Sequence, residues 1–107
     1  MLVSGGVDES VMGPEQSLSL ARQLRRENKP VEASRVLIGA LRIDPSSAAI
    51  YGELGVTLLG LGLLERAVHA LEEAVRLEPD ALNYQLNLSG AYHHIGRYGD
   101  CIEVASR

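Results

Sequence analysis

The chain has 107 residues, neither Phe nor Trp, and a formal charge of −4. That length holds one domain rather than two, and the acidic balance argues against general binding to nucleic acid or to an anionic membrane. A core without Phe or Trp must be assembled from Leu, Val, Ile, Ala and a few Tyr, which suits small, closely packed helices and suits an all-β sandwich poorly.

Residues 1–13 contain Gly and Ser with no sustained period and read as a flexible N-terminal tail. Met1 to Gly6 lacks the basic n-region and long apolar stretch of a signal peptide. Gly13-Pro14-Glu15 starts the first helix, since Pro tolerates the first helical position and Glu favours the positive end of the helix. Leu20 and Leu24 mark its core stripe, and it closes near Asn28. Pro30 opens a second helix with Ala33, Val36, Leu37, Ala40, Leu41 and Ile43 on its inner side. Asp44-Pro45-Ser46-Ser47 breaks the chain and supplies capping side chains to a third helix over 47–60. Gly60-Leu61-Gly62 ends it. A fourth helix covers 64–77 with Val68, Leu71, Ala74 and Val75 inward; Glu78-Pro79-Asp80 is the next break. A fifth helix covers 81–95 up to Gly96, and a sixth begins near Tyr98. No period-2 stretch argues for a strand. Leu54 to Leu64 is nearly apolar but too short to span a bilayer.

Beneath these elements lies a repeat. Pro45 and Pro79 are 34 residues apart, and at that interval Ala33 returns as Ala67, Leu37 as Leu71, Ala40 as Ala74, and Leu20 as Leu54 and Leu88. A fixed period of this length marks a helical repeat array, in which each antiparallel helix pair buries its second apolar side only by stacking on its neighbours. The expected fold is an all-α solenoid of just under three repeats: 14–47, 48–81, and 82–107 with its second helix cut short.

Segment 48–81 resembles a tetratricopeptide repeat. Tyr51, Leu54-Gly55, Leu58, Ala67, Leu71, Ala74 and Pro79 stand at the places where that motif carries its aromatic, Leu-Gly, aromatic, Ala, large apolar, Ala and Pro residues. Leu58 replaces the usual Tyr and Leu71 the usual Phe. The first segment keeps Leu20-Ala21, Leu24, Ala33, Leu37, Ala40 and Pro45 but has Ser17 where an aromatic is expected. The third keeps Leu88-Ser89, Tyr92, Gly96 and Tyr98, with Cys101 in place of the first Ala. The resemblance covers 14–107 and implies a right-handed solenoid whose concave side is lined by the first helix of each pair. Gly55, Ala67 and Ala74 are then small because helices cross there at close range.

On the concave side the period aligns Glu15, Ala49 and Asn83 in one row and Ser19, Glu53 and Asn87 in a second. Arg22, Val56 and Gly90 form a third, and Arg26, Gly60 and His94 a fourth. The groove is thus basic at one end, apolar in the middle and amide-bearing at the other. Asn83 and Asn87, one turn apart, can donate to and accept from an extended peptide backbone, or they are simply solvated. Arg22 and Arg26 can meet a carboxylate, or pair with Glu15 or Glu53. The cluster Arg22, Arg25, Arg26 and Lys29, with Glu27 and Glu32 beside it, reads as a solvated surface or as an anion site. The paired Lys and Asn pattern by which some relatives grip chaperone C-terminal carboxylates is missing, and Glu53 sits where such a site would not want negative charge.

Other chemistry is weakly supported. His93-His94 points its two rings about 100° apart, unlike the i, i+4 pairs of helical zinc sites, and His69 lies on another helix. Cys101 holds a small-residue core position and reads as a buried inert thiol; one cysteine also fits a reducing compartment. Gly60-Leu61-Gly62 lacks the strand and last Gly of a dinucleotide loop, Asn87-Leu88-Ser89 lies inside a helix, and Glu72-Glu73 sits on an outer helix. The reading is a cytoplasmic, non-catalytic interaction scaffold, without cofactor, that takes a protein or peptide partner in its concave groove. The competing readings are an N-terminal docking module of a larger enzyme such as a transferase, and self-association through an uncapped C-terminal end.

Overall fold

The computed structural model describes residues 13–96, and these form five α-helices and no strand: α1 (Pro14–Arg26), α2 (Pro30–Ile43), α3 (Ala48–Gly60), α4 (Leu64–Leu77) and α5 (Leu82–His94). The tail over 1–12, Tyr98, Cys101 and the expected sixth helix lie outside the described residues.

The helix boundaries follow from local chemistry. Pro14 and Pro30 occupy first-turn positions where a missing N–H costs nothing. The Gly13 N–H donates to Gln16 Oε1 at 3.0 Å, completing half of a capping box. α1 stops at Arg26 because Asn28 turns left-handed at φ 64°, which lets the Lys29 N–H return to the Leu24 carbonyl. Ser47 caps α3, its Oγ accepting from the Ile50 N–H at 3.2 Å. Gly62, at φ 78°, makes the corresponding turn after α3, where a side chain would be strained. α5 has no side-chain N-cap, and its sequence holds no Asp, Glu, Lys or Arg. Its first turn is tied instead by the Gln85 amide donating to the Pro79 carbonyl.

The helices stack as antiparallel pairs in two layers. α1, α3 and α5 meet in succession, whereas α2 and α4 each pack on α3 without meeting one another. The inner layer is therefore the one in which neighbours are closest, and the array curves toward it. The main core draws Leu18 and Ala21 from α1, Leu37 and Ala40 from α2, Ile50, Leu54 and Leu58 from α3, and Ala67 from α4. A smaller cluster of Val68, Leu71 and Ala91 holds α5, with Leu88, Tyr92 and Ile95 packed around it.

The crossing of α3 and α4 depends on Gly55. A Cβ there would stand 2.4 Å from Leu71 Cγ and 2.7 Å from its Cδ2. Gly52 does the same one turn earlier, where a Cβ would meet the Tyr84 ring edge at 2.5 Å. Buried hydroxyls are satisfied within their own helices: Thr57 Oγ1 donates to the Glu53 carbonyl at 2.8 Å and Ser34 Oγ to that of Val31 at 2.7 Å.

Three expectations about packing change. Ile43, expected on the inner side, is 60% exposed: it is the last residue of α2, with no further turn to fold over it. Leu20 and Leu24, expected as the core stripe of α1, are only half-buried, and Ser17, Leu18 and Ala21 take the buried face. Leu20 precedes Ala21 by one residue, about 100° around the helix. Pro79, expected among the packing residues, is exposed and serves the turn between α4 and α5.

Candidate functional site

The inner layer brings together side chains from α1, α3 and α5. At its α1 end Glu53 reaches from α3 to two arginines. Arg22 Nε donates to Glu53 Oε1 at 3.2 Å, and Arg25 Nη1 pairs with Oε2. The Glu53 side chain is only 10% exposed, against 54% and 36% for Arg22 and Arg25. The pair therefore spans two successive inner helices with its negative member covered and its positive members in solvent. The groove presents cations here, and the Glu53 charge is consumed inside the protein. Arg25, read from sequence only as part of a basic cluster, is one of the two partners. Arg26 is exposed and makes no ion pair among the described residues.

Removing the shared carboxylate tests this arrangement. Glu53→Gln lowers stability by about 1 kcal/mol at low salt, the upper end for pairs whose cations are exposed. The loss shrinks as salt rises, because screening already weakens the wild-type pairs. Urea unfolding at two ionic strengths reads both effects; a salt-independent difference would show that packing, not charge, ties Glu53 in place.

Further along the layer Val56 is half-buried and makes the apolar middle. Gly60 and Gly90 face open space. On α5, Asn83 and His94 are exposed and Asn87 is half-buried. Among the described residues neither asparagine amide has a hydrogen-bond partner within the chain. Asn83 and Asn87 lie on α5 and Val56 on α3, whereas the arginines lie on α1.

Of the residues expected to pack the repeat, Leu54, Gly55, Leu58, Ala67, Leu71 and Ala74 are buried and Tyr51 is half-buried. The reason for Tyr51 lies on the outer side. There α2 and α4 diverge over α3 and leave an apolar cleft of about 380 Å³. Its floor is Tyr51, Leu54 and Leu58; Ile38 and Ala70 form the walls, and Glu65, Arg66 and His69 the rim. Sequence reasoning missed this cleft. Ile38 carried a signal, being a large apolar residue off the inner stripe of α2, but the gap depends on how far two helices splay.

Glu72 and Glu73 on the outer helix each have a side-chain partner. Tyr92 donates from its hydroxyl to Glu72 Oε2 at 2.7 Å, linking α5 to α4. The Arg76 guanidinium hydrogen-bonded to Glu73 holds that carboxyl below the usual carboxylate range. Burial pushes the Tyr84 phenol up, with the Glu78 charge adding to it, so it stays neutral where it packs over Gly52. Among the described residues no three His, Cys, Asp or Glu side chains cluster as a metal site would require, and no helix is long and apolar enough to cross a membrane.

Comparison with known proteins adds to this geometry. Residues 53–107 match the family model described as tetratricopeptide repeat. Protein FlbA of Caulobacter vibrioides is 34% identical over 80 residues, which are 75% of this chain and 12% of FlbA. Among solved structures, residues from 41 onward of MamA from Desulfovibrio magneticus superpose with a TM-score of 0.73 at 22% identity, over 83% of this chain and 51% of that one. The TPR2AB domain of yeast Sti1, solved in complex with pHSP90, gives 0.73 at 16% identity, over 94% of this chain and 40% of that one. The chain thus spans about an eighth of the curated relative and about half or less of these structures. At those identities the two structures establish the fold: an all-α helical-repeat solenoid.

Proposed function

The chain belongs to the tetratricopeptide repeat family, and from that premise we propose that it is a cytoplasmic, non-catalytic scaffold that binds an extended peptide along the inner layer. The observation that carries this reading is the pair of amides at Asn83 and Asn87. They lie one turn apart on the inner layer, unpaired among the described residues, beside the apolar strip at Val56. An asparagine amide offers a donor and an acceptor together, so two at this spacing can hold a peptide backbone whatever its side chains are. Arg22, Arg25 and Arg26 bias the other end toward acidic residues, with two of the three held in place by Glu53. The Sti1 complex with pHSP90 supports the use of such a fold to bind a protein partner. The missing Lys and Asn pattern argues against the same ligand here.

A peptide selected from a random library on the wild-type chain provides the test. Asn83→Ala and Asn87→Ala each weaken its binding roughly fivefold to tenfold, the worth of about 1 kcal/mol for one hydrogen-bonding group. Ile38→Asp, in the outer cleft, leaves binding unchanged. Fluorescence anisotropy reads all three. Unchanged affinity in both asparagine variants, together with loss in Ile38→Asp, would move the site to the outer cleft and overturn the reading.

A further inference from the structure

The arginine end of the inner layer narrows the chemistry of the partner. Arg22, Arg25 and Arg26 fall on one side of α1, within an arc of about 100° at the helical pitch. A recess of about 320 Å³ lies among them. The negative end of α1 accounts for part of this set, since Arg25 and Arg26 sit in its last turn, where cations are favoured. It does not account for Arg22, a turn earlier. Nor does it account for Glu53, which comes from another helix and holds two of the three guanidiniums in place.

Charge and donors both point to the occupant. Three guanidiniums and one carboxylate leave two positive charges here at neutral pH. A peptide carboxylate brings one negative charge and two oxygens, the same group that Glu53 already supplies. A phosphoryl ester brings close to two negative charges and three acceptor oxygens. Each guanidinium carries its N–H donors in a planar fork that suits phosphate. Glu53 takes one hydrogen bond from Arg22 and one from Arg25, so most of the donors remain. We propose that the segment bound along the inner layer is phosphorylated on a serine or threonine, and that Arg22, Arg25 and Arg26 hold its phosphoryl group. This rests on the groove reading, in which the amides at Asn83 and Asn87 hold the peptide backbone.

Two synthetic peptide libraries test this on the 107-residue chain, identical except that one fixed position carries phosphoserine in one and serine in the other. Binders from the phosphoserine library are expected to lose about tenfold to a hundredfold in affinity on dephosphorylation, the worth of charge-assisted hydrogen bonds. Glu at the fixed position restores only part of that loss. Arg26→Ala weakens the phosphopeptide about tenfold and leaves the serine form unchanged. Its thermal melt stays that of wild type, because Arg26 is exposed and makes no ion pair among the described residues. Arg35→Ala, which removes an exposed arginine of the outer helix α2, leaves phosphopeptide binding unchanged. A phosphoserine library without binders would overturn the proposal, as would equal affinity for the phosphorylated and serine forms. Glu binding as tightly as phosphoserine would reduce the preference to acidity alone, and equal losses in Arg26→Ala and Arg35→Ala would reduce it to bulk charge; either sinks the proposal. So does inorganic phosphate that binds as tightly as the phosphopeptide, which marks an ion site only. Unchanged phosphopeptide affinity in both Asn83→Ala and Asn87→Ala overturns the groove reading and leaves the phosphoserine preference standing, so the two fail separately.

Discussion

Gly55→Leu is expected to destabilise the fold by about 3 kcal/mol, the upper end of the range for overpacked sites. Even the smaller Gly55→Ala is expected to be destabilising, and the sign is informative. In a helix interior Ala is favoured over Gly by about 1 kcal/mol. Here the added Cβ stands 2.4 Å from Cγ of Leu71, a side chain with no exposure and therefore nowhere to move. The clash outweighs the propensity gain. Gly39 on α2 provides the opposite case: nothing lies within 4 Å of its would-be Cβ, so Gly39→Ala is expected to stabilise by about 0.5–1 kcal/mol. Urea titration of the variants separates the two effects. The pair Gly55→Ala and Leu71→Ala should be strongly non-additive, since removing the Leu71 branch vacates the space the new methyl needs. Additive losses would show that the helices adjust by moving apart, and that Gly55 does not set the crossing.

The second large effect is expected at Leu37. It is fully buried in the cluster that joins α1, α2, α3 and α4, and Leu37→Ala removes about 2–5 kcal/mol through lost transfer free energy and the cavity left behind. Domains of this size hold about 5–15 kcal/mol in total, so the loss is a large share of the whole. Val31, half-exposed on the same helix, is the control: Val31→Ala is expected to fall within about 0.5 kcal/mol of wild type. Because helical repeat arrays are stabilised by nearest-neighbour contacts, the damage should spread unevenly. Amide exchange should quicken most in α1 and α2, and least in α5, which rests on the separate cluster of Val68, Leu71 and Ala91. Equal acceleration throughout would show a single cooperative unit.

Much of the fold was legible because its cause is local. The helix limits follow from Pro14, Pro30, Ser47 and Gly62, whose effects act within a turn or two, and they match expectation to within two residues. The 34-residue period aligned the inner rows, and it singled out Gly55 and Leu71 as small and large partners before any coordinates. The site was legible in part. Spacing alone put Glu53 in one row with Ser19 and Asn87, but it did not show which arginines pair with Glu53. Arg22, Arg25 and Arg26 all lie within one turn of α1, and which of them reaches Glu53 depends on the rotation of α1 against α3.

The leucine that recurs at 20, 54 and 88 shows where sequence stops and tertiary structure begins. One residue type in one register predicts one environment, yet Leu54 is buried while Leu20 and Leu88 are only half-buried. Leu54 lies on α3, the one helix with α2 on one side and α4 on the other. The period determined which residues are equivalent. Burial was decided by what packs against each copy, and that differs along a finite array. The same holds for the outer cleft over Tyr51, which exists only because α2 and α4 splay apart. Periodicity is a property of the chain, whereas exposure belongs to the assembled neighbours.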